Sequence, residues 1–248
     1  MISDQTDAFV IRSVDFSETS KVVTLFSRDL GKLSVMAKGA RRLKSSFEVA
    51  LDLLSVCRIC VRRKTTAELD LLTEAKLLER FDGLRRNLGA LYAGYFIAEV
   101  LNGLTGRHDA HPVLYDSSVE TLRRLGQGED RQLTLIRFQL KLLKELGYAP
   151  ILTHCSISGA EVGLSERMAY SVAAGGLVHP DEARNRSGCM TIQGATVQAL
   201  RVYSGETEAA ERLVPSQRGR DEMWRLLLAT VATHLGRMPK MVAMLDAS

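Results

Sequence analysis

The first 80 residues of the chain contain five short segments with the composition of β-strands, and this pattern constrains the fold more than any other feature. The segments cover residues 8–14, 21–27, 32–37, 55–63 and 69–77, with Gly31 closing a polar turn between the second and the third. Their apolar residues alternate, or they are rich in Val, Leu, Thr and Phe, as strands are. Five short strands in about 75 residues are typical of a small closed barrel. We therefore predict a five-stranded OB-fold barrel over residues 1–80, with an SH3-like barrel as the alternative.

After residue 80 the apolar residues recur every three or four positions, which is typical of helices. Helices are predicted to begin near residue 88 and to cover residues 112–125, 131–146, 194–204 and 219–235. Residues 150–190 are punctuated by Gly and Pro and are predicted to be irregular. The predicted fold class is α+β, with the barrel followed by a mainly α-helical domain over residues 81–248 that carries this irregular insert.

Positive charge is concentrated on the predicted barrel. Residues 30–65 hold nine Lys and Arg against two Asp and Glu, whereas the rest of the chain holds 24 and 27. Such cations favour the binding of nucleic-acid phosphates, because each Lys or Arg that neutralises a phosphate releases counterions into solution. We predict nucleic-acid binding by residues of two segments, namely Lys38, Arg41, Arg42, Lys44, Arg62, Arg63 and Lys64, with Arg58 as a further candidate. The alternative is a basic loop that faces only solvent, because the sequence does not place these cations on one face.

Aromatic residues are scarce in the predicted barrel. Phe9, Phe16, Phe26 and Phe47 are the only ones before Phe81. Stacking on aromatic rings contributes about 1–3 kcal/mol per base in single-strand binding proteins. Because several of these rings are needed for the core, we expect electrostatic contacts to dominate nucleic-acid binding.

The common catalytic motifs are absent from the sequence. It has no Walker-type phosphate loop, no Gly-x-Gly-x-x-Gly, no His-Glu-x-x-His and no Gly-x-Ser-x-Gly. Cys57 and Cys60 have the spacing of a metal or redox pair, but positions i and i+3 of a strand point to opposite faces. We therefore expect a binding protein rather than an enzyme.

The predicted insert contains His154, Cys155, His179 and Cys189, from which a zinc site can be drawn. A closed zinc site generally takes its four ligands as two close pairs, and this spacing does not provide them. We predict no metal and no cofactor. Two alternatives stay open: a zinc- or thiol-dependent enzyme that uses His154 and Cys155, and a scaffold that binds only proteins.

Nothing in the sequence predicts a membrane span or a secreted protein. No apolar run approaches the ~20 residues that a membrane helix needs, and the polar first residues are unlike a signal peptide. Four cysteines in 248 residues do not make a disulfide scaffold. The expected location is the cytoplasm.

The predicted helix over 131–146 carries a basic stripe. Arg137, Lys141 and Lys144 are spaced i, i+4 and i+7, beside the apolar residues Phe138, Leu142 and Leu146. Such a stripe is usually a solvated face. It would also suit an acidic peptide with an apolar end, since cations attract the carboxylates and a groove accepts the apolar side chain.

Five stretches of the chain, in the same order, resemble the RecO family of bacterial recombination mediators. They are residues 9–12 (FVIR), 16–20 (FSETS), 31–41 (GKLSVMAKGAR), 137–148 (RFQLKLLKELGY) and 236–240 (GRMPK). The resemblance implies an OB-fold, a helical domain and, in many members, a zinc module with four cysteines, of which only Cys155 has a counterpart here.

The resemblance also implies a set of partners. They are single-stranded DNA, the C-terminal tail of single-stranded DNA-binding protein (SSB), RecR and, indirectly, RecA, with double-stranded DNA left open. The implied activities are loading of RecA and annealing of complementary strands, in the bacterial cytoplasm in association with the nucleoid. Arg137 is the position that the resemblance assigns to the SSB tail.

Overall fold

The computed structural model describes residues 3–42, 45, 47, 49–63, 69–184, 187–205 and 208–247. Five strands form a closed barrel in the order β1-β2-β3-β5-β4. They are β1 (Ser3–Asp15), β2 (Lys21–Ser27), β3 (Gly31–Ala37), β4 (Val56–Arg62) and β5 (Asp70–Glu79). The OB-like barrel predicted from the strand pattern is thus confirmed.

The remaining elements follow in chain order. They are α1 (Asp82–Arg85), α2 (Leu88–Leu104), α3 (Pro112–Gly126), α4 (Arg131–Glu145), β6 (Arg167–Ser171), β7 (Gly176–Val178), α5 (Pro180–Arg184), β8 (Cys189–Gln193), α6 (Gly194–Ser204), α7 (Glu208–Arg212), α8 (Gln217–Leu235) and α9 (Val242–Asp246). No helix in the described part of the chain is both long enough and apolar enough to cross a membrane.

A single long strand closes the barrel. The first half of β1 pairs with β4, from Ser3 opposite Arg62 to Phe9 opposite Val56, and the second half pairs with β2. The register shifts between Val10 and Arg12, where an extra residue bends the strand as β-bulges do. The barrel interior is filled by small and branched apolar side chains, among them Ala8, Val10, Val23, Leu25, Leu33, Val35, Ile59 and Val61, all fully buried.

The chain divides into two compact units. One comprises Met1–Arg131 and Pro239–Ser248, and the other comprises Gln132–Met238. The predicted boundary at residue 80 lies between the last barrel strand and α1. The packing groups α1, α2 and α3 with the barrel, because these helices bury their apolar faces against it and against one another.

In the first unit, the connection between α2 and α3 lies against β3. Gly31 has φ +69°, and its α-carbon faces the backbone of Asp109 so closely that a β-carbon would overlap it. Nearby, the N–H of His108 donates to the carbonyl of Lys32 at 3.1 Å. Glycine at position 31 therefore serves both the turn and this close approach.

The end of the chain also belongs to the first unit. The carboxylate of Glu99 on α2 accepts the N–H groups of Lys240 and Met241 at 2.9 and 3.0 Å. This contact satisfies two backbone donors just before α9, where Val242 and Leu245 are buried. It gives the 236–240 stretch a structural function.

The second unit contains a small sheet that the sequence analysis missed. Strands β7, β6 and β8 form an antiparallel sheet, in which β6 and β7 lie within the segment predicted to be irregular and β8 begins at the end of that segment. The strands are three to five residues long, too short for a periodic apolar pattern to emerge. Gly176 has no room for a β-carbon, which would lie 2.5 Å from the carbonyl oxygen of Ile151.

A buried carboxylate ties this sheet to two helices. Glu222 on α8 is 3% exposed. It accepts the N–H of Gln193 at 2.9 Å and the hydroxyl of Thr196 at 2.6 Å, both at the start of α6, and the Nε of Arg218 lies at 3.4 Å. Burial opposes the charge of Glu222, but these hydrogen bonds outweigh it and lower its pKa.

Candidate nucleic-acid interface

The predicted basic loop forms a turn directly after β3. Lys38 and Arg42 have exposed side chains at its two ends. Gly39 takes φ +75°, and its carbonyl accepts the N–H of Arg42 at 3.1 Å. Within the described part of the chain neither Lys38 nor Arg42 makes an ion pair. Lys44, also predicted to bind DNA, lies outside the described residues.

Arg41 has a different environment from its neighbours. Its Nη1 donates to the carbonyl of Ser17 at 2.7 Å, its N–H donates to the carbonyl of Thr19 at 3.1 Å, and its Nε lies 3.4 Å from Asp15. These contacts hold the β1–β2 turn and the turn after β3 together. Arg41 therefore positions the loop, and much of its charge is balanced by Asp15.

The second predicted basic segment, like the first, contains both cations that contact an acid and an exposed cation without an ion-pair partner among the described residues. Arg58 forms a two-pronged pair with the Asp7 carboxylate, at 2.8 and 3.1 Å, so this additional candidate is balanced by an acid on β1. Arg62 is exposed and has no ion-pair partner among the described residues. Arg63 lies between Asp4, at 3.9 Å, and Nδ1 of His108, at 3.3 Å. Lys64 lies outside the described residues.

The strand register brings the two basic segments to one end of the barrel. Val14 pairs with Val22, Val22 with Met36, Met36 with Leu71, and Leu71 with Arg62. Paired residues point to the same face of a sheet, and here that face is the outer one. We call these five residues the outer row. Lys38 follows Met36 by two residues, so cations lie at one end of the row and beside its middle.

The outer row offers an apolar surface beside the cations. Val14 is 44% exposed, Val22, Met36 and Leu71 are half-buried, and Arg62 is exposed. Neighbouring strands lie about 4.8 Å apart, so the row extends about 19 Å around the barrel. Sequence analysis found the cations but not the row, because its members come from five strands and meet only through their register.

The barrel phenylalanines separate into two groups. Phe9 and Phe26 are fully buried and Phe47 is 6% exposed, which confirms that several of these rings serve the core. Phe9 and Phe26 meet edge to face, with ring centroids 6.5 Å apart. Phe16, at the start of the β1–β2 turn and two residues beyond Val14, is 64% exposed.

Arg107 and His108 join the basic end of the barrel from the connection between α2 and α3. The backbone of Arg107 forms an isolated parallel β-bridge with the backbone of Lys32 on β3. The side chain of His108 contacts that of Arg63. Burial lowers the pKa of His108, and the positive charges of Arg63 and Arg107 lower it further, against the opposite effect of Asp70. No sequence pattern marked this pair, because the fold alone brings residues 107 and 108 to residues 32 and 63.

On α4, the predicted basic stripe has a mixed environment. Arg137 is half-buried: its guanidinium lies 5.2 Å from the centre of the Tyr203 ring, and its Nη2 donates to the carbonyl of Ala210 at 2.9 Å. Lys141 is half-buried and Lys144 is exposed. Phe138 and Leu142 are 1% and 0% exposed, so the expected groove beside them is filled by the protein's own core.

The cysteine and histidine residues of the second unit do not converge on one point. Cys155 is 1% exposed, and its sulfur accepts the N–H of His179 at 3.3 Å. The ring of His179 is instead directed to Asp181, at 3.4 Å, and the ring of His154 to the hydroxyl of Thr153, at 3.0 Å. Among the described residues, no three His, Cys, Asp or Glu side chains form a group that could hold a metal ion.

Hydrogen bonds govern the pKa of Cys155. Burial raises it, but hydrogen bonds from Ser158, His179 and Ile157 to the sulfur outweigh burial and lower the pKa to about 7. In the barrel, Cys57 is buried and its pKa is raised by burial to about 12, whereas Cys60 is half-buried near Glu74. As predicted, these two sulfurs lie on opposite faces of β4.

The absence of bound zinc stays a prediction, and elemental analysis tests it directly. We expect elemental analysis of the purified, untagged protein to give well below one zinc per chain, because Cys155 has no second close cysteine to complete a ligand pair. One zinc per chain, lost in the Cys155→Ser variant, would contradict this and support the zinc-enzyme alternative.

Together, the strand order of the barrel and its exposed basic end define a protein with an oligonucleotide-binding type of barrel. Two protein-family models agree with this class. The model described as "Recombination protein O N terminal" matches residues 1–81, and the model described as "Recombination protein O C terminal" matches residues 85–242. The chain belongs to the RecO family of DNA repair proteins.

Individual proteins support the assignment. The DNA repair protein RecO of Rhodopirellula baltica is 43% identical over 203 residues, which cover 81% of this chain and 75% of that protein. The DNA repair protein RecO of Salinibacter ruber is 34% identical over 201 residues, 81% of this chain and 74% of that protein. The DNA repair protein RecO of an Azoarcus species is 32% identical over 237 residues, 95% of this chain and 92% of that protein.

Proposed function

We propose that this protein is a non-enzymatic, DNA-binding component of recombinational repair that holds single-stranded DNA on its barrel. The observation that carries the proposal is the outer row, which joins the exposed cations Lys38 and Arg42 to Arg62 across an apolar surface. A single strand presents charged phosphates and apolar base faces, and this surface complements both. Because the contacts are to phosphates, binding is independent of base sequence.

The test is a titration of fluorescent oligonucleotides of several lengths across a range of salt concentrations. We expect affinity to rise with strand length up to the size of the site, and to fall with salt at a slope of roughly −0.7 per phosphate contact on the logarithmic scale. A protein that binds only other proteins would give no length-dependent binding, and the proposal would then fail.

Partners extend the proposal beyond DNA. As a RecO-family member the protein would act with RecR to load RecA on strands covered by SSB, in the bacterial cytoplasm at the nucleoid. Annealing of complementary strands follows if two strands share the basic end of the barrel, since its cations reduce the repulsion between their phosphates.

An acidic partner peptide fits α4 better near its end than at Arg137. Lys144 is exposed, and Tyr148, four residues later, is 44% exposed and stacks on the ring of His234, with centroids 3.7 Å apart. These rings offer an accessible aromatic surface four residues after an exposed cation, whereas Phe138 and Leu142 are buried. The peptide in the proposal is the acidic SSB tail with its terminal Phe.

We expect Lys144→Glu to weaken binding of the SSB-tail peptide by about tenfold, because it replaces attraction of the carboxylates by repulsion. Affinity for naked DNA should change less than twofold. The measurement is fluorescence anisotropy of peptide and oligonucleotide with the same preparation. Arg137→Ala is the less informative variant, because it also removes the contacts with Tyr203 and Ala210. Unchanged peptide binding by both variants would remove α4 from the proposal.

The thiol-enzyme alternative is favoured by one observation, the pKa of about 7 at Cys155. Two others oppose it: the sulfur is almost completely buried, and the His179 ring is directed to Asp181 rather than to the thiol. A nucleophilic cysteine needs access to its substrate and a base beside it. We therefore keep the binding function as the proposal.

A further inference from the structure

The exposed ring of Phe16 sits on an ordered turn. The N–H groups of Phe16 and Ser17 donate to the carbonyl of Ser20 at 3.0 and 3.3 Å, and the N–H of Ser20 donates to the hydroxyl of Ser17 at 3.2 Å. Arg41 holds the same turn from the neighbouring loop. The ring is thus presented to solvent from a backbone with many hydrogen bonds.

A single exposed apolar side chain is common on protein surfaces and needs no function. Phe16 differs because it continues an apolar surface: Val14, two residues earlier, is 44% exposed and begins the outer row. From Val14 the row leads over β2, β3 and β5 to Arg62 on β4, and Lys38 and Arg42 follow β3, two strands from Val14. The ring therefore lies at the end of a surface whose cations already suit a polyanion.

The charges of the turn indicate which part of a nucleotide it meets. Residues 16–20 contain no Lys or Arg, and their one charged residue is the acid Glu18. Asp15, just before the turn, is contacted by Lys21 and Arg41 at 3.8 and 3.4 Å. A phosphate is disfavoured beside Glu18, whereas an uncharged base is not. Every base has an apolar face that stacks on an aromatic ring regardless of its identity.

We infer that Phe16 is a stacking platform for a base of the bound single strand. The strand would then run from Phe16 over the outer row, with bases toward Val14, Val22 and Met36, and with phosphates beside Lys38, Arg42 and Arg62. This inference rests on the proposed single-strand binding and adds to it a specific residue and an orientation of the strand. It adds one stacked base to a binding mode that electrostatic contacts still dominate.

The test compares Phe16→Ala with the wild type on three ligands of equal length: an oligothymidine, the same backbone with abasic sites, and a duplex. Loss of one stacked base weakens binding about 5- to 150-fold. We expect this loss for oligothymidine and less than twofold change for the abasic strand and the duplex, which offer no free base face. The slope of affinity against salt should stay unchanged, because no charge is removed.

Two further variants complete the design. Phe16→Trp keeps an aromatic face, so it should restore affinity, and its added tryptophan fluorescence should be quenched on binding oligothymidine. Leu78→Ala is the matched control, since Leu78 is an exposed apolar residue (46%) on β5 of the same barrel, seven positions from the outer-row residue Leu71. It should bind all three ligands as the wild type does.

The outcomes separate this inference from the proposed function. Wild-type affinity of Phe16→Ala for oligothymidine overturns the stacking role, while the salt-dependent binding of the wild type would still support the proposed function. Equal losses on all three ligands also overturn it, because Phe16 would then act on the phosphate contacts or the fold. Intact DNA binding with weakened binding of a protein partner would overturn it too and make Phe16 a protein contact.

Discussion

Removal of three cations, in the variant Lys38→Ala, Arg42→Ala, Arg62→Ala, is expected to weaken binding of single-stranded DNA by about a thousandfold at low salt. Each hydrogen-bonded contact between a cation and a phosphate contributes about 1.4 kcal/mol or more, which is tenfold in affinity. The salt slope should become shallower by about 2, since each lost contact removes roughly 0.7. The losses should be alike for all base sequences. Oligonucleotide anisotropy at several salt concentrations measures both quantities.

The matched control removes the same charge elsewhere. Arg167, Arg184 and Arg225 are exposed cations of the second unit, and their triple replacement by alanine lowers the net charge equally. We expect less than a threefold change in affinity from this control. Equal effects of the two triple variants would mean that only net charge matters, and an unchanged slope in the first would place the DNA site away from the outer row.

Replacement of the buried carboxylate Glu222 should have the largest effect on stability. Glu222→Ala leaves the N–H of Gln193 and the hydroxyl of Thr196 without their acceptor. Buried donors without a partner cost about 1–3 kcal/mol each, so we expect a loss of about 3 kcal/mol in the free energy of unfolding at pH 7. Urea denaturation is the measurement. Asp221→Asn, at the exposed neighbouring carboxylate, should change the free energy by less than about 0.5 kcal/mol.

The effect of Glu222 should depend on pH in a defined direction. Its pKa is lower in the folded state than in the unfolded chain, so its charge stabilises the fold above the unfolded-state value of about 4.3. This contribution is lost as the pH falls through the folded-state pKa. The difference between the wild type and Glu222→Gln should therefore be larger at pH 7 than at pH 3. An equal difference at both pH values would show that shape rather than charge matters at this position.

The boundaries of an element could be predicted to within about one residue where its apolar residues follow a regular pattern. Strand β2 spans the predicted residues 21–27, and α4 ends one residue before the predicted 131–146. By contrast, β1 begins at Ser3 rather than at residue 8. Its first residues are polar and carry no apolar pattern, and they become a strand because β4 offers them backbone partners.

The candidate site could be predicted in composition but not in arrangement. Four basic residues near position 40 are visible in the sequence, yet only tertiary contacts distinguish Arg41, which lies 3.4 Å from Asp15, from Arg42, which makes no ion pair among the described residues. Likewise, Asp7 and Arg58 are 51 positions apart and meet because β1 pairs with β4. Exposure of Phe16 also depends on packing, since all four barrel phenylalanines look alike as sequence. Side-chain partners are tertiary information, and local patterns do not contain it.

The contact of Glu99 with Lys240 and Met241 has a consequence for the order in which the chain matures during translation. Residues 132–238 leave the ribosome before residues 239–247, so the second unit is fully synthesised while the first still lacks α9. A nascent chain that ends before residue 239 therefore carries Glu99 without the two N–H groups that it later receives. Completion of the barrel-containing unit, although that unit begins first, must wait until residues 239–247 have been made.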